Sequence, residues 1–272
     1  MPLPVLFVSH GAPTFALEPG RAGALLADIG RRLPPVSAVL VLSPHWMSAG
    51  GVRVGHAAEP ETLHDFGGFP HALYALRYPV PGHPVLAART LTLLRQAGIP
   101  AEADPVRGLD HGAWVPLMHL LPQATVPVFQ VSLPHPLDPA GALRLGQALA
   151  PLRDEGVLIV ASGGMTHNLF EFRRHGDDAG YVGDFTRWVR TAVLTGDVPG
   201  LLDYRRLAPQ AARAHPSEEH FLPLLVALGA GGSDAPVTVI DGGITDGVLS
   251  MESYLIGHGA EPAIAQEQRR ST

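Results

Sequence analysis

Short uninterrupted apolar runs, closed by Ser, Gly or Pro and separated by stretches of helical spacing, restrict this chain to a narrow set of folds. Val5-Leu6-Phe7-Val8, Ala38-Val39-Leu40-Val41-Leu42 and Val157-Leu158-Ile159-Val160 carry no polar residue on either alternating face. That pattern suits strands buried on both sides of a parallel sheet. Further strands are read at residues 126–133, 237–240 and 248–256, and helices at 20–33, 84–97, 140–153, 184–194 and 221–228. Such alternation predicts an α/β fold, a single domain with a mainly parallel central sheet flanked by helices. Residues 1–260 are expected to form this domain and residues 261–272 a polar, mobile tail.

In open parallel sheets the ligand crevice lies just past the carboxyl ends of the strands, and three of the apolar runs lead there into histidines. Val5–Val8 leads to Ser9-His10-Gly11, the second run to Ser43-Pro44-His45-Trp46, and the third to Ser162-Gly163-Gly164-Met165-Thr166-His167. Imidazole is both a common metal ligand and an acid–base group poised near neutral pH. The placement therefore points to a metal or acid–base site. Taken singly, each histidine also reads as an ordinary turn or helix-start residue. His111, in Leu-Asp-His-Gly-Ala-Trp, fits equally well in a capping turn with Asp110 at the start of a helix. In His215-Pro-Ser-Glu-Glu-His220-Phe-Leu-Pro, either Ser217 caps a helix or the helix starts near Pro223. Adjacent residues point in different directions, so Glu219 or His220 can reach a metal, but not both.

Composition excludes several functions. With no cysteine among 272 residues, disulfides, thiolate ligands and a cysteine nucleophile are ruled out. The net charge of −6, with no Lys/Arg-rich stripe, argues against a nucleic-acid partner. Apolar runs are far shorter than a membrane span and no secretory leader is read, so a soluble cytoplasmic protein without membrane partners is expected. No Gly-x-Ser-x-Gly elbow offers a serine nucleophile. The segment 55–82 reads as a loop rich in His, Gly, Pro and aromatics.

An ordered set of motifs runs through the chain. These are Ser-His-Gly-Ala-Pro (9–13), Ser-Pro-His-Trp (43–46), His-Asp-Phe-Gly-Gly-Phe-Pro (64–70), Tyr-Pro-Val-Pro-Gly (78–82), Leu-Asp-His-Gly-Ala-Trp (109–114) and Glu-His-Phe-Leu-Pro-Leu (219–224). The set resembles the class III extradiol ring-cleavage dioxygenases, most closely their DOPA 4,5-dioxygenase-like branch, from about residue 3 to about residue 256. The resemblance implies one divalent metal ion per chain, Fe(II) for catalysis, which binds a small catechol through both hydroxyls and then O2. His10, His45 and His220 resemble the metal ligands, and His167 the acid–base histidine, which is also a candidate fourth ligand. His111 resembles a second catalytic histidine, and His64 is expected to line the substrate pocket.

Other family members use a carboxylate as third ligand, so Glu219 beside His220 keeps that alternative open. An all-imidazole site also suits Zn(II). Two other readings compete, a zinc-dependent hydrolase and a non-catalytic metal-binding member of the fold. Loss of strand-end histidines is expected of the last, and all of them are present. Arg53, Arg77 and Arg107 are candidate partners for a substrate carboxylate. Oligomeric state is left open, a homo-oligomer included.

Overall fold

The computed structural model describes residues 2–173, 180–232 and 234–257; the expected tail and the domain limit at residue 260 lie outside the described residues. The strands are β1 (Val5–Ser9), β2 (Ala38–Ala49), β3 (Val52–Gly55), β4 (Ala101–Asp104), β5 (Val128–His135), β6 (Val157–Gly163) and β7 (Val237–Ile240). A two-residue hairpin, β8 (Ile244–Thr245) with β9 (Leu249–Ser250), precedes β10 (Ser253–Ile256). Eight of them form one mixed sheet in the order β4-β3-β5-β2-β6-β1-β10-β7. Its centre, β5-β2-β6-β1, is parallel throughout. Within this sheet, antiparallel pairing is confined to β3 on β5 and to β10 between β1 and β7.

Helices are α1 (Gly20–Arg32), α2 (His71–Ala75), α3 (Pro84–Gln96), α4 (His111–Leu120) and α5 (Pro139–Leu149) in the first part of the chain. They continue as α6 (Gly180–Thr195), α7 (Val198–Leu202), α8 (Tyr204–Leu207), α9 (Ala211–Ala214) and α10 (Leu222–Gly231). Strand residues alternate between two cores. Val5, Phe7, Leu40, Leu42 and Ile159 pack beneath α3, α5, α6 and α10. Leu6, Val8, Val39, Val41, Leu158 and Val160 pack beneath α1 and α4. Both faces are thus covered, which is why the central strands read as unbroken apolar runs. No helix among the described residues is long and apolar enough to cross a membrane.

Several local expectations are corrected. β2 does not stop at Leu42 but continues to Ala49, because the chain bulges and then rejoins β5 at Met47. Of the two helix starts left open, the one near Pro223 is realised: α10 begins at Leu222 with Pro223 in its first turn, where a missing N–H costs no helical bond, and Ser217 caps nothing there. The strand expected at 248–256 is two strands broken at Met251-Glu252. The helix expected at 140–153 gives way after Leu149 to a 3-10 turn. β3 and β4 were not expected from the sequence.

His215 illustrates what the core beneath α6 and α10 demands of a polar group. It is fully buried against Phe185 and Phe221, and its Nε2–H donates to the Met165 carbonyl at 2.9 Å. Its Nδ1 has no partner. Burial pushes its pKa down to about 3, whereas the unfolded chain takes up this proton near about 6.5. The stabilising effect of a neutral His215 is therefore complete above that value and is lost as pH falls towards 3. In metal-free protein, His215→Gln should flatten the acid side of the stability profile by about 1.4 kcal/mol per pH unit within this window. Urea unfolding of both proteins across the window measures the slope, and parallel profiles would contradict the assignment.

Candidate metal and ring-cleavage site

Five histidines meet at the carboxyl end of the central strands, each positioned by a different local device. His10 follows the last residue of β1, and Gly11, at φ +63°, turns the chain in the left-handed region that favours glycine. The His10 ring is buried, with Nδ1 2.9 Å from Ser162 Oγ. Since the Ser162 hydroxyl donates to the Gly112 carbonyl, it is left to accept from His10 Nδ1–H. That bond fixes the tautomer, so Nε2 carries the lone pair.

His45 sits inside the β2 bulge. Leu42 pairs with Val131 and Met47 with Leu133, so Ser43, Pro44, His45 and Trp46 stand opposite Ser132 alone. Bulges re-aim side chains, and this one brings His45 Nε2 to 3.1 Å from His10 Nε2. His111 opens α4, whose N-terminus is capped by Asp110 accepting from the Ala113 N–H at 3.2 Å. Asp65 accepts twice from His111, at Oδ1 from the backbone N–H (2.8 Å) and at Oδ2 from Nδ1–H (3.0 Å).

His220 lies in the turn before α10, and its carbonyl accepts from the Gly164 N–H at 2.8 Å, anchoring that turn to the end of β6. Its Nδ1 is 3.2 Å from Glu219 Oε1, while its Nε2 is buried without a partner. His167 reaches the same place through Gly163-Gly164-Met165-Thr166, held by its N–H to the Ala214 carbonyl at 2.8 Å. Its ring lies flat on His220, with centroids 3.4 Å apart and planes 6° from parallel.

Donor atoms fall into two groups, each within 4.8 Å: His10, His45 and His111, and His167, Glu219 and His220. Ring positions discriminate further. The centroids of His10, His45 and His220 form a nearly equilateral triangle of 5.0, 5.4 and 5.1 Å. Three imidazoles around one tetrahedral ion at the usual metal–nitrogen distance stand about 5 Å apart by centroid. His111 is only 4.0 Å from His45, and His167 is stacked on His220, so neither matches that spacing. The unpartnered His220 Nε2 and the nitrogens of His10 and His45 could hold a divalent cation.

Burial holds the rings of His10, His45, His167 and His220 neutral. It is the largest cause lowering His10 and His220 well below the ordinary histidine value, and neighbouring imidazoles add to it. Burial and then His111 bring His45 down to about 3, with Asp65 opposing. Burial brings His167 down to about 4, with Glu219 opposing. For Asp65, burial acts upward, but hydrogen bonds and attraction from His111 outweigh it and leave the carboxyl at about 2. Neutral imidazole is the form that binds a metal or accepts a proton.

Above the rings opens a cavity of about 300 Å³. His10, His45, His111 and His167 contribute to its lining, and Phe66, Phe69, Leu169, Phe172, Pro13 and Leu249 form apolar walls. His64 is not among the lining residues; it packs on Phe66 and Trp114, with Nε2 3.1 Å from the Leu76 carbonyl. The three candidate arginines also lie elsewhere: Arg53 pairs with Glu102, Arg77 donates to the Tyr74 and Leu76 carbonyls, and Arg107 stacks on Trp46. Sequence reasoning missed Asp65 and Ser162. Asp65 adjoins His64 in a motif already noted, but nothing local says which imidazole it meets.

Residues 5–248 match the family described as the catalytic LigB subunit of aromatic ring-opening dioxygenase. The chain belongs to this family. It is 39% identical over 265 residues to a 4,5-DOPA dioxygenase extradiol of Escherichia coli K12, covering 94% of this chain and 95% of that one. A protein of the same description from Beta vulgaris is 39% identical over 253 residues, covering 91% and 94%. A crystal structure of an uncharacterized protein from Escherichia coli K12 superposes with a TM-score of 0.75 at 34% identity, over 94% of this chain and all of that chain. This ring-opening dioxygenase family makes the chain an enzyme of the extradiol ring-cleavage type.

Ser162 offers a direct check of the site's architecture. Ser162→Ala leaves His10 Nδ1 without its acceptor, and loss of such an outer partner weakens metal binding about 10- to 100-fold. Competition with a chromophoric chelator measures it. Unchanged affinity would mean that the Ser162 bond does not hold the ring.

Proposed function

We propose that this dioxygenase opens the ring of a small catechol, DOPA or a related alkyl- or carboxyl-substituted catechol, with one divalent ion held by His10, His45 and His220. The observation that carries the reading is the 5.0–5.4 Å triangle of neutral rings around an unpartnered His220 Nε2, beneath a cavity with apolar walls. When bound there, Fe(II) supplies the electrons and open coordination positions that O2 chemistry on a catechol needs. Zn(II) is a competing occupant that the same three rings accept.

The chain's own groups account for the proton movements. His167, neutral and facing the cavity, accepts a phenolic proton from the bound catechol and returns it as the ring opens. Such acid–base help contributes about 10² to 10⁴-fold in rate. His111, with Nδ1–H committed to Asp65, turns its Nε2 to the substrate as the second proton-handling or orienting group. Phe66, Phe69 and Phe172 flank the aromatic ring and keep bulk water from it. His167 is stacked on His220 rather than spaced from it, which favours the proton-carrier role over that of a fourth ligand.

Four variants separate these roles. His45→Ala and His220→Ala should lose most bound metal. His167→Ala should retain metal while kcat falls about 10² to 10⁴-fold, and Glu219→Gln should keep metal content nearly intact. Metal analysis beside steady-state rates checks all of them. Metal loss in Glu219→Gln with retention in His220→Ala would restore a carboxylate ligand, and metal loss in His167→Ala would make that residue a ligand.

The reaction itself is tested with protein stripped of metal and reloaded anaerobically with Fe(II). It should consume one O2 per catechol and form a yellow ring-opened semialdehyde, while the Zn(II) form stays inactive because zinc has no redox change to offer. Absence of O2 uptake across a panel of catechols, together with ester or amide hydrolysis by the Zn(II) form, would replace this reading with a hydrolase.

A further inference from the structure

We propose that Asp65 is a positioning residue for the reaction, fixing His111 as the Nδ1–H tautomer so that its Nε2 lone pair faces the substrate cavity. The inference rests on the function proposed above for its kinetic part, but its structural part stands independently.

The geometry is specific. One carboxylate spans both ends of a single residue: Oδ1 takes the His111 backbone N–H at 2.8 Å, and Oδ2 takes the ring Nδ1–H at 3.0 Å. An ionised carboxylate can only accept hydrogen bonds, so the ring nitrogen facing it must carry the hydrogen. In a neutral imidazole the other nitrogen, Nε2, then has none. His111 lines the cavity while its Nδ1 is tied to Asp65, so the free lone pair belongs to the reacting side. The next imidazole is beyond such reach, since His45 Nδ1 lies 3.8 Å from Asp65 Oδ2, too far for a hydrogen bond. Asp65 therefore acts on His111 directly and on His45 only through its charge.

A purely structural role must be separated from this one, because Asp65 also ties its loop to α4. Beside it, the Trp114 Nε1–H donates to the Leu63 carbonyl and the Leu63 N–H to the Leu109 carbonyl, both at 2.8 Å. The loop thus keeps other tethers when Asp65 changes. Asp65→Asn is the informative substitution. Its amide oxygen can still accept from the His111 backbone N–H, whereas its NH2 donates and so requires a bare Nδ1. The tether survives and the tautomer reverses.

With Fe(II) enzyme and a catechol, Asp65→Asn should lower kcat about 10²-fold or more, with KM and metal stoichiometry nearly unchanged. In a His111→Ala background the same substitution should cause no further loss, as expected of residues acting in one chain. Nitrogen-15 spectra of the metal-free wild type should show His111 protonated at Nδ1 and bare at Nε2, and Asp65→Asn should exchange the two. Equal losses of kcat in both backgrounds, metal loss in Asp65→Asn, or an unchanged kcat would overturn the proposal. So would a wild-type His111 protonated at Nε2, a result available even if the variant fails to fold. Lack of O2 uptake by wild type with every catechol would instead defeat the function proposed above, leaving the spectra to decide the role of Asp65.

Discussion

Desolvation of several imidazoles at one end of a sheet is the constraint on which this site depends. An unpaired buried polar group is costly, so a buried ring needs an acceptor for its hydrogen. The protein provides acceptors outside the cluster: Ser162 for His10, Asp65 for His111 and Glu219 for His220, each facing Nδ1. The consequence is directional. Once the Nδ1 positions are occupied by outward bonds, the Nε2 positions can only turn inwards, and His220 Nε2 is left with no protein partner at all. An interior lacking a cation carries that orphaned atom as a cost, and a bound ion removes it.

Strand order makes the convergence possible. β6 lies between β1 and β2, so the strands bearing His10 and His45 stand two strand spacings apart, about 10 Å. β6 ends at Gly163 and is followed by Gly164, and neither raises a side chain into the gap between the two rings. A Cβ at Gly163 would meet the His220 carbonyl and the Pro223 ring. The same absence of a side chain thus lets the turn bearing His220 dock on the end of β6. The three candidate ligand positions His10, His45 and His220, far apart in sequence, become neighbours because one strand end between them is bare.

Much of the frame was legible because buried parallel strands leave unbroken apolar runs and helices leave their period. The edge strands were not. Ala101-Glu102-Ala103-Asp104 has no strand propensity, and it forms β4 only because β3 offers a parallel partner. The bulge that aims His45 was also hidden, since the sequence signals the end of the apolar run at Leu42 but not that pairing resumes at Met47. The positions of His10, His45 and His167 were readable from their place after strands, whereas the roles of all five histidines depend on distances that only tertiary packing sets. His64 shows this directly. Its motif drew attention to the right loop, but Phe66 and Phe69 line the cavity while His64 packs behind, on Trp114.

That loop joins two functions that would otherwise be independent. Phe66 and Phe69 form the wall against which an aromatic ring would rest, and Asp65 beside them holds His111 at the start of α4. Asp110 caps the same helix from within the core, joined to Gln130 and Arg107. The N-terminus of α4 is therefore clamped from both sides, by the sheet through Asp110 and by the substrate-facing loop through Asp65. A shift of the loop that enlarged the cavity would loosen the bond that sets the His111 tautomer. If His111 handles protons as proposed, this carboxylate would couple substrate fit to proton transfer, because the loop that lines the cavity with Phe66 and Phe69 also holds His111 through Asp65.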